Sequence, residues 1–370
     1  MEAIGIRDLF GPLLVRLIAE GVNVFDIERV MKYIDKKSLL ESWCNNWCEI
    51  GNFYESKAKE VESYASHHTL HDLYRFAALS YRAATIIHFK DMDKKKELTS
   101  KFLSLYRKSL LHSNHPVESV EVPFQNDTIP GYLHLPQGKG PLPCCISFGG
   151  IDSGKEEVSN LALPFLERGI ACFVLDLPGS GESLYFKNFH LRISNILEAL
   201  SQSLNILSQK DIIYKNKIGV CGGCLGANFA YRFAVEDERV KFCATWMPFF
   251  SLSDEAIVID MVPAWLREGA WIRFLTGCAP RVFRKEMSPD YEKIPITTPF
   301  YVVHAPHDIW SRPSFIEKVY KIARGKKEML IVPQPPIFTK SAFMTHPMPA
   351  AEQIHWVMPI MVDWIWNQVK

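Results

Sequence analysis

The texture of the chain changes near residue 117, and that change decides its architecture. From residue 1 to about 112, apolar residues recur at helical spacing, as in LLVRLIAEGVNVFDIERVMKYI and LYRFAALSYRAATIIHF, with no alternating run between them. This half reads as an all-helical unit. After SNHPVESVEVPF the chain breaks into short β-rich runs separated by helical stretches: SVEVPF, GYLHLP, PCCISF, ACFVLDL, KIGVCG, FCATWM, PFYVVHA and EMLIVP. Runs of strand length, bounded by Gly or Pro and alternating with helices, predict a mostly parallel sheet covered on both faces. The expected organisation is therefore a helical unit over 1–117 and an α/β unit over 118–370.

A length of 370 residues suits such a pair, since one ordinary domain holds roughly 100–200 residues. Charge narrows the partners. Lys and Arg number 42 against 41 Asp and Glu, a formal +1, and the charges are scattered. No basic stripe offers a counter-ion surface to a phosphate backbone, so nucleic acid is excluded as a partner. The run KDMDKKKE at 90–97 reads as a solvated surface. The N-terminal stretch lacks a basic region followed by an apolar run and a cleavage site, and no ~18 consecutive apolar residues occur. The expectation is a soluble, cytoplasmic protein with no membrane partner. Nine cysteines is an odd number, and Cys144, Cys145 and Cys172 lie within apolar runs, where thiols behave as small buried hydrophobes.

GGIDSGK at 149–155 follows a predicted strand and spells most of a phosphate-binding loop. It fails at the last position, where Glu156 stands in place of the Ser or Thr that holds magnesium. Gly149 and Gly150 are better used to let backbone N–H groups face a cavity at the carboxyl end of the strand, where ligands of parallel sheets collect. Further on, Gly222-Gly223-Cys224-Leu225-Gly226 follows the strand KIGVCG and precedes the helical pattern LGANFAYRFAV. That is the context of a nucleophile elbow, with Cys224 lifted above the sheet and the Leu225 N–H free to meet an oxyanion. An acid and a His are expected later in the chain, in that order. Asp308 follows the strand PFYVVHA and His346 lies in the loop after EMLIVP. Asp308 would orient the imidazole that takes the proton from Cys224. The bland alternatives are a helix cap at Asp308 and a structural thiol at Cys224. His355, within AAEQIHWVMPIMVDWI, is the rival base, and His307 would line the pocket.

At these residues the chain resembles the α/β-hydrolases, in particular their FrsA-like and 2,6-dihydroxypseudooxynicotine hydrolase-like branch. The resemblance is carried by IPGYLHLPQGKGPLPCCISFGGIDSGKEE, FVLDLPGSGES, GVCGGCLGANFA and YVVHAPHD, and covers most of 118–370. It implies an α/β-hydrolase fold with an eight-stranded mostly parallel sheet flanked by helices, a helical N-terminal cap or lid, a homodimer, and no metal or organic cofactor. It further implies Cys224 as nucleophile, Asp308 as acid, His346 as base, and an oxyanion hole from backbone N–H groups of Leu225 and of Gly150 or Ile151. Two departures stand out: relatives mostly carry Ser at the elbow, and PPIFTKSAFMTHP replaces the usual approach to the His.

A thiol ionises near pKa ~8.5, far below an alcohol, so a neighbouring His can hold it as thiolate, which exchanges readily with thioesters. Cys224 therefore tilts the expectation towards hydrolysis or acyl transfer on a small apolar or aromatic acyl compound through a thioester intermediate. The Trp- and Phe-rich stretch over 249–283 is a candidate pocket wall, with Asp254 and Glu255 as candidate carboxylates in it. Carbon–carbon cleavage of a ketone or β-diketone-like compound is a second expectation, and a ligand-binding protein without turnover is a third. His67 and His71 stand one helical turn apart, as do Cys44 and Cys48. The histidine spacing can bind zinc, but neither pair brings the other ligands such a site needs.

Overall fold

The structure is a computed structural model that describes residues 13–14, 16–86, 91–151, 153–257, 269–306, 308, 310–333 and 354–370, with the side chains of 354 and 355 outside the description. The chain divides into two compact units, Met1–Val117 and Glu118–Lys370.

The first unit is helical. It contains α1 (Val24–Lys32), α2 (Leu39–Val61), α3 (His67–Ile86) and α4 (Met92–Leu110), with α3 packed against both α2 and α4. On α3 the buried residues Leu70, Tyr74, Ala77, Tyr81 and Ala84 recur at steps of three and four, the spacing that lays an apolar stripe along a helix. Trp43 of α2 donates its indole N–H to the Ala83 carbonyl at 2.8 Å. Two helix starts are capped from the sequence: Asn23 Oδ1 accepts from the Phe25 N–H, and Asp91 Oδ1 from the Lys94 N–H. Glu20, buried, is gripped by Arg82 through Nε at 2.8 Å and Nη2 at 3.0 Å. The charge run at 90–97 is not wholly a solvated surface. Lys95 is buried and donates to the Thr85 carbonyl at 2.9 Å, since the last carbonyls of α3 lack partners within the helix.

The second unit carries eight strands: β1 (Val117–Phe124), β2 (Asp127–His134), β3 (Leu142–Phe148), β4 (Ala171–Leu175), β5 (Ile213–Gly223), β6 (Cys243–Trp246), β7 (Phe300–His304) and β8 (Lys327–Ile331). They form one sheet in the order β1-β2-β4-β3-β5-β6-β7-β8, with β2 antiparallel to β4 and all pairs from β4 to β8 parallel. The eight β-rich runs of the sequence are these eight strands. Their central members are buried along their length, which is why they read as continuous apolar runs rather than alternating ones. The connecting helices are α5 (Lys155–Ser159), α6 (Leu163–Leu166), α7 (Gly181–Tyr185), α8 (Ile193–Ser208), α9 (Gly226–Glu236), α10 (Gly269–Thr276), α11 (Pro280–Glu286), α12 (Pro313–Ile322) and α13 (Ile354–Val369). α9 lies on β5 and β6, and α13 packs against α6 and β7. This is the α/β-hydrolase fold with an N-terminal helical region. Among the described residues no helix is long and apolar enough to cross a membrane.

Four neighbouring parallel strands each carry a buried thiol: Cys144 and Cys145 on β3, Cys172 on β4, Cys221 on β5 and Cys243 on β6. Burial pushes the Cys144 thiol up to about 12 and holds those of Cys145, Cys172 and Cys243 well above the ordinary thiol range.

Candidate active site

β5 ends at Gly223 and α9 begins at Gly226, so the chain turns from strand into helix within residues 224–225. So sharp a turn puts Cys224 at φ +56°, in the left-handed region that side chains other than glycine avoid at about 1–2 kcal/mol. Strain of this kind persists only where the surroundings hold it in place. Here the Cys224 N–H donates to the Trp246 carbonyl at 3.2 Å, and the Cys224 carbonyl accepts from the N–H groups of Phe249 at 2.9 Å and Ala227 at 3.1 Å. Met247, lying between Trp246 and Phe249, is itself at φ +45° and donates its N–H to the Val303 carbonyl on β7. The elbow is thus braced against the turn that leaves β6.

Close approach explains the flanking glycines. A β-carbon on Gly226 would run into the carbonyl oxygen of Gly149, a backbone atom that cannot swing aside. Gly226→Ala is expected to destabilise the fold by about 1–3 kcal/mol, read as a lower urea midpoint with an unchanged slope. On the other side, a β-carbon on Gly150 would stand 2.9 Å from both Cβ and Sγ of Cys224 and 3.7 Å from the Leu225 nitrogen. The backbone of Gly150 therefore lies close to the sulfur and near the nitrogen of Leu225, the residue that precedes α9. Ile151 follows it, half-buried.

Asp308 sits just beyond β7 and is 6% exposed. Its Oδ1 accepts from the Trp310 N–H at 2.8 Å and the Ser311 N–H at 3.1 Å, which fixes the carboxylate plane. It does not cap the following helix: the N-cap of α12 is Arg312. The residues that hold Cys224 and Asp308 in place also meet each other. Phe249, whose N–H holds the Cys224 carbonyl, stacks on Trp310, whose N–H holds Asp308, with ring centroids 6.4 Å apart at 21°. Phe249 is the first residue of the 249–283 stretch, of which residues 258–268 lie outside the described ones, and Trp310 comes from beyond it. Asp254 does not join it, being 83% exposed and paired with Arg284 at 2.7 Å. His307 and His346 lie outside the described residues, and His355 is in the first turn of α13 with its side chain outside them.

The lysine that ended the apparent phosphate loop is enclosed. Lys155 is 1% exposed, with Nζ 2.8 Å from Asp176 Oδ2, 2.8 Å from Glu156 Oε1 and 2.6 Å from Glu182 Oε1. Burial pulls its ammonium down, but the facing carboxylates outweigh that and hold it well above the usual lysine range. Glu156 is pushed up by burial against the pull of Lys155. A phosphate has no access to such a lysine. The cluster is the one feature of this region that motif reading missed, because its members come from three separate segments.

In the helical unit, His71 Nδ1 bonds the Ser109 carbonyl at 2.9 Å, while His67 Nδ1 meets His112 Nδ1 at 2.9 Å. The two histidines of the helical spacing thus face different partners. Among the described residues no group of three or more His, Cys, Asp or Glu is arranged to hold a metal ion. Cys44 is buried and hydrogen-bonded to Cys48, which lowers its thiol to about 7 and raises that of Cys48.

Residues 28–259 match the family model described as Esterase FrsA-like. The 2,6-dihydropseudooxynicotine hydrolase of Paenarthrobacter nicotinovorans is 26% identical over 318 residues, covering 86% of this chain and 83% of that protein. Esterase FrsA of Photobacterium profundum is 25% identical over 225 residues, covering 60% of this chain and 53% of that protein. The crystal structure of the 2,6-dihydroxy-pseudo-oxynicotine hydrolase matches with a TM-score of 0.81 at 22% identity, over 96% of this chain and 95% of that one. The fold is shared across almost the whole of both chains.

Proposed function

We propose, from the premise that the chain belongs to the FrsA-like esterase family and is an α/β-fold hydrolase, that it works through Cys224, Asp308 and His346. The observation that carries this reading is the φ of +56° at Cys224. A thiol that served only to fill space in a tight turn would be better replaced by glycine, which takes that backbone without strain. The strained residue instead presents a side chain beside Gly150 and the Leu225 N–H.

In this reading His346 takes the thiol proton and the Cys224 sulfur bonds to the acyl carbon, pushing the carbonyl electrons onto oxygen. The N–H groups of Leu225 and of Gly150 or Ile151 hold that oxyanion. The carbonyl re-forms, the leaving group departs with the proton from His346, and water or another acceptor then resolves the thioester. Asp308 orients the imidazole and stabilises its charge. The stacked Phe249 and Trp310 favour a small apolar or aromatic acyl group. The helical unit serves as the lid, and the enzyme works as a homodimer in a reducing cytoplasm, which its nine free thiols suit.

Trapping decides the chemistry. Brief incubation with a p-nitrophenyl ester, followed by intact mass and peptide mapping, is expected to find one acyl group on Cys224; an acyl group on another residue, or turnover without one, overturns the reading. Product analysis separates it from ketone cleavage, since only carbon–carbon cleavage leaves a new C–H bond in a product. Limiting iodoacetamide at neutral pH is expected to label half-buried Cys224 before the other thiols, with Cys44 held back by burial despite its lowered pKa. Labelling of Cys44 or Cys278 ahead of an untouched Cys224 would contradict an activated elbow thiol.

A further inference from the structure

The geometry points to Lys155 and Asp176 as positioning residues for the oxyanion-binding loop, a role that rests on Cys224 being the nucleophile. Four residues separate Gly150, which lies close to the sulfur, from Lys155. At its near end the loop leaves β3 at Phe148, paired in register with Gly222 of β5. At its far end the Lys155 backbone N–H donates to Asp176 Oδ1 at 2.8 Å and its ammonium to Asp176 Oδ2 at 2.8 Å. One carboxylate therefore grips the residue by both main chain and side chain. Asp176 is fully buried and directly follows β4, the strand paired with β3, so the grip ties the loop to the sheet.

The rest of the cluster keeps that grip stiff. The Glu182 N–H donates to Asp176 Oδ2 at 2.8 Å while the Glu182 carboxylate takes the ammonium at 2.6 Å. Glu156 adds a third carboxylate, and the Tyr132 ring lies 5.1 Å from Nζ. A buried ion cluster is weak evidence for stability, because packed apolar residues do as well. What apolar residues do not supply is direction. Charge-assisted bonds to fixed oxygens hold the backbone of Lys155, the far end of the short loop, in one direction.

The test compares two reactions of the same sulfur. Acylation by p-nitrophenyl acetate passes through an oxyanion and needs the loop; alkylation by iodoacetamide has no oxyanion and needs only an accessible thiolate. Lys155→Met is expected to slow acylation of Cys224 by about 10²-fold, the effect of donors misplaced by about 1 Å, while alkylation stays within about twofold of wild type. Glu182→Gln, which leaves the Lys155–Asp176 grip in place, is expected to slow acylation by about 3–10-fold with alkylation unchanged, and it decides the matter if Lys155→Met does not fold. Acylation and alkylation falling together, or acylation unaffected in a folded variant, overturns the proposal. A wild-type protein in which neither reagent modifies Cys224 overturns the nucleophile reading instead, so the two failures are distinct.

Discussion

Cys224→Ala is expected to lower kcat by about 10⁴-fold or more while leaving the fold intact, because it removes the sulfur proposed to attack and keeps the β-carbon. Alanine at φ +56° carries the same backbone strain as cysteine, so the hydrogen bonds from Phe249 and Ala227 to the residue-224 carbonyl are retained. Cys224→Ser separates the chemistries further. Its hydroxyl must lose a proton during attack to a base placed for a larger sulfur, and a loss of at least ~10²-fold is expected for acyl transfer. Near-wild-type turnover by the serine variant would remove the argument for thioester chemistry, and wild-type turnover by the alanine variant would end the nucleophile role. Cys224→Gly adds a readout that activity does not give. It relieves the left-handed strain and is expected to stabilise the protein by about 1 kcal/mol relative to Ala, seen as a higher urea midpoint in a dead enzyme.

For Asp308→Asn the expectation is a fall in kcat of about 10⁴-fold with little change in unfolding midpoint. The Asn carbonyl oxygen can go on accepting from the Trp310 and Ser311 N–H groups, so the turn after β7 keeps its shape. Its amide nitrogen, however, donates where a carboxylate oxygen accepts, and an imidazole N–H facing it is forced into the wrong tautomer or orientation. Asp308→Ala removes the turn's hydrogen bonds as well and should lower the thermal midpoint, which separates the catalytic part proposed for Asp308 from its structural one. Retained activity in a folded Asn variant would remove Asp308 from the mechanism.

The sheet was legible in the sequence because parallel strands buried on both faces are continuous apolar runs, and those from PCCISF to PFYVVHA have no other reading at their length. The elbow was legible for a related reason: only glycine fits at 226 beside the Gly149 carbonyl, and that need is written as a residue type. Lys155 was not legible. Its motif suggests a phosphate, and only the return of β4 and α7 to the same place shows three carboxylates closing on it. The positive φ of Met247 left no trace in residue type either, since a methionine there is imposed by the contacts around the elbow. Lys95 looked like any lysine of a charged run, and what distinguishes it is the unpaired end of another helix. The base stayed divided between His346 and His355 because PPIFTKSAFMTHP follows neither a helical nor a strand period.

The thiols sealed into β3, β4, β5 and β6 give the sheet its own set of clocks. Each is silent to a thiol reagent while its strand is closed, since burial denies it solvent, and for Cys144, Cys145, Cys172 and Cys243 burial also disfavours the thiolate. A reagent present during mild destabilisation would therefore mark strands in the order in which they open, and the order can be read by mass without introducing any label. Because Cys145 and Cys172 face each other in register across β3 and β4, their simultaneous marking would report that pair parting as a unit, whereas Cys243 marked alone would report release of the strand that braces the elbow.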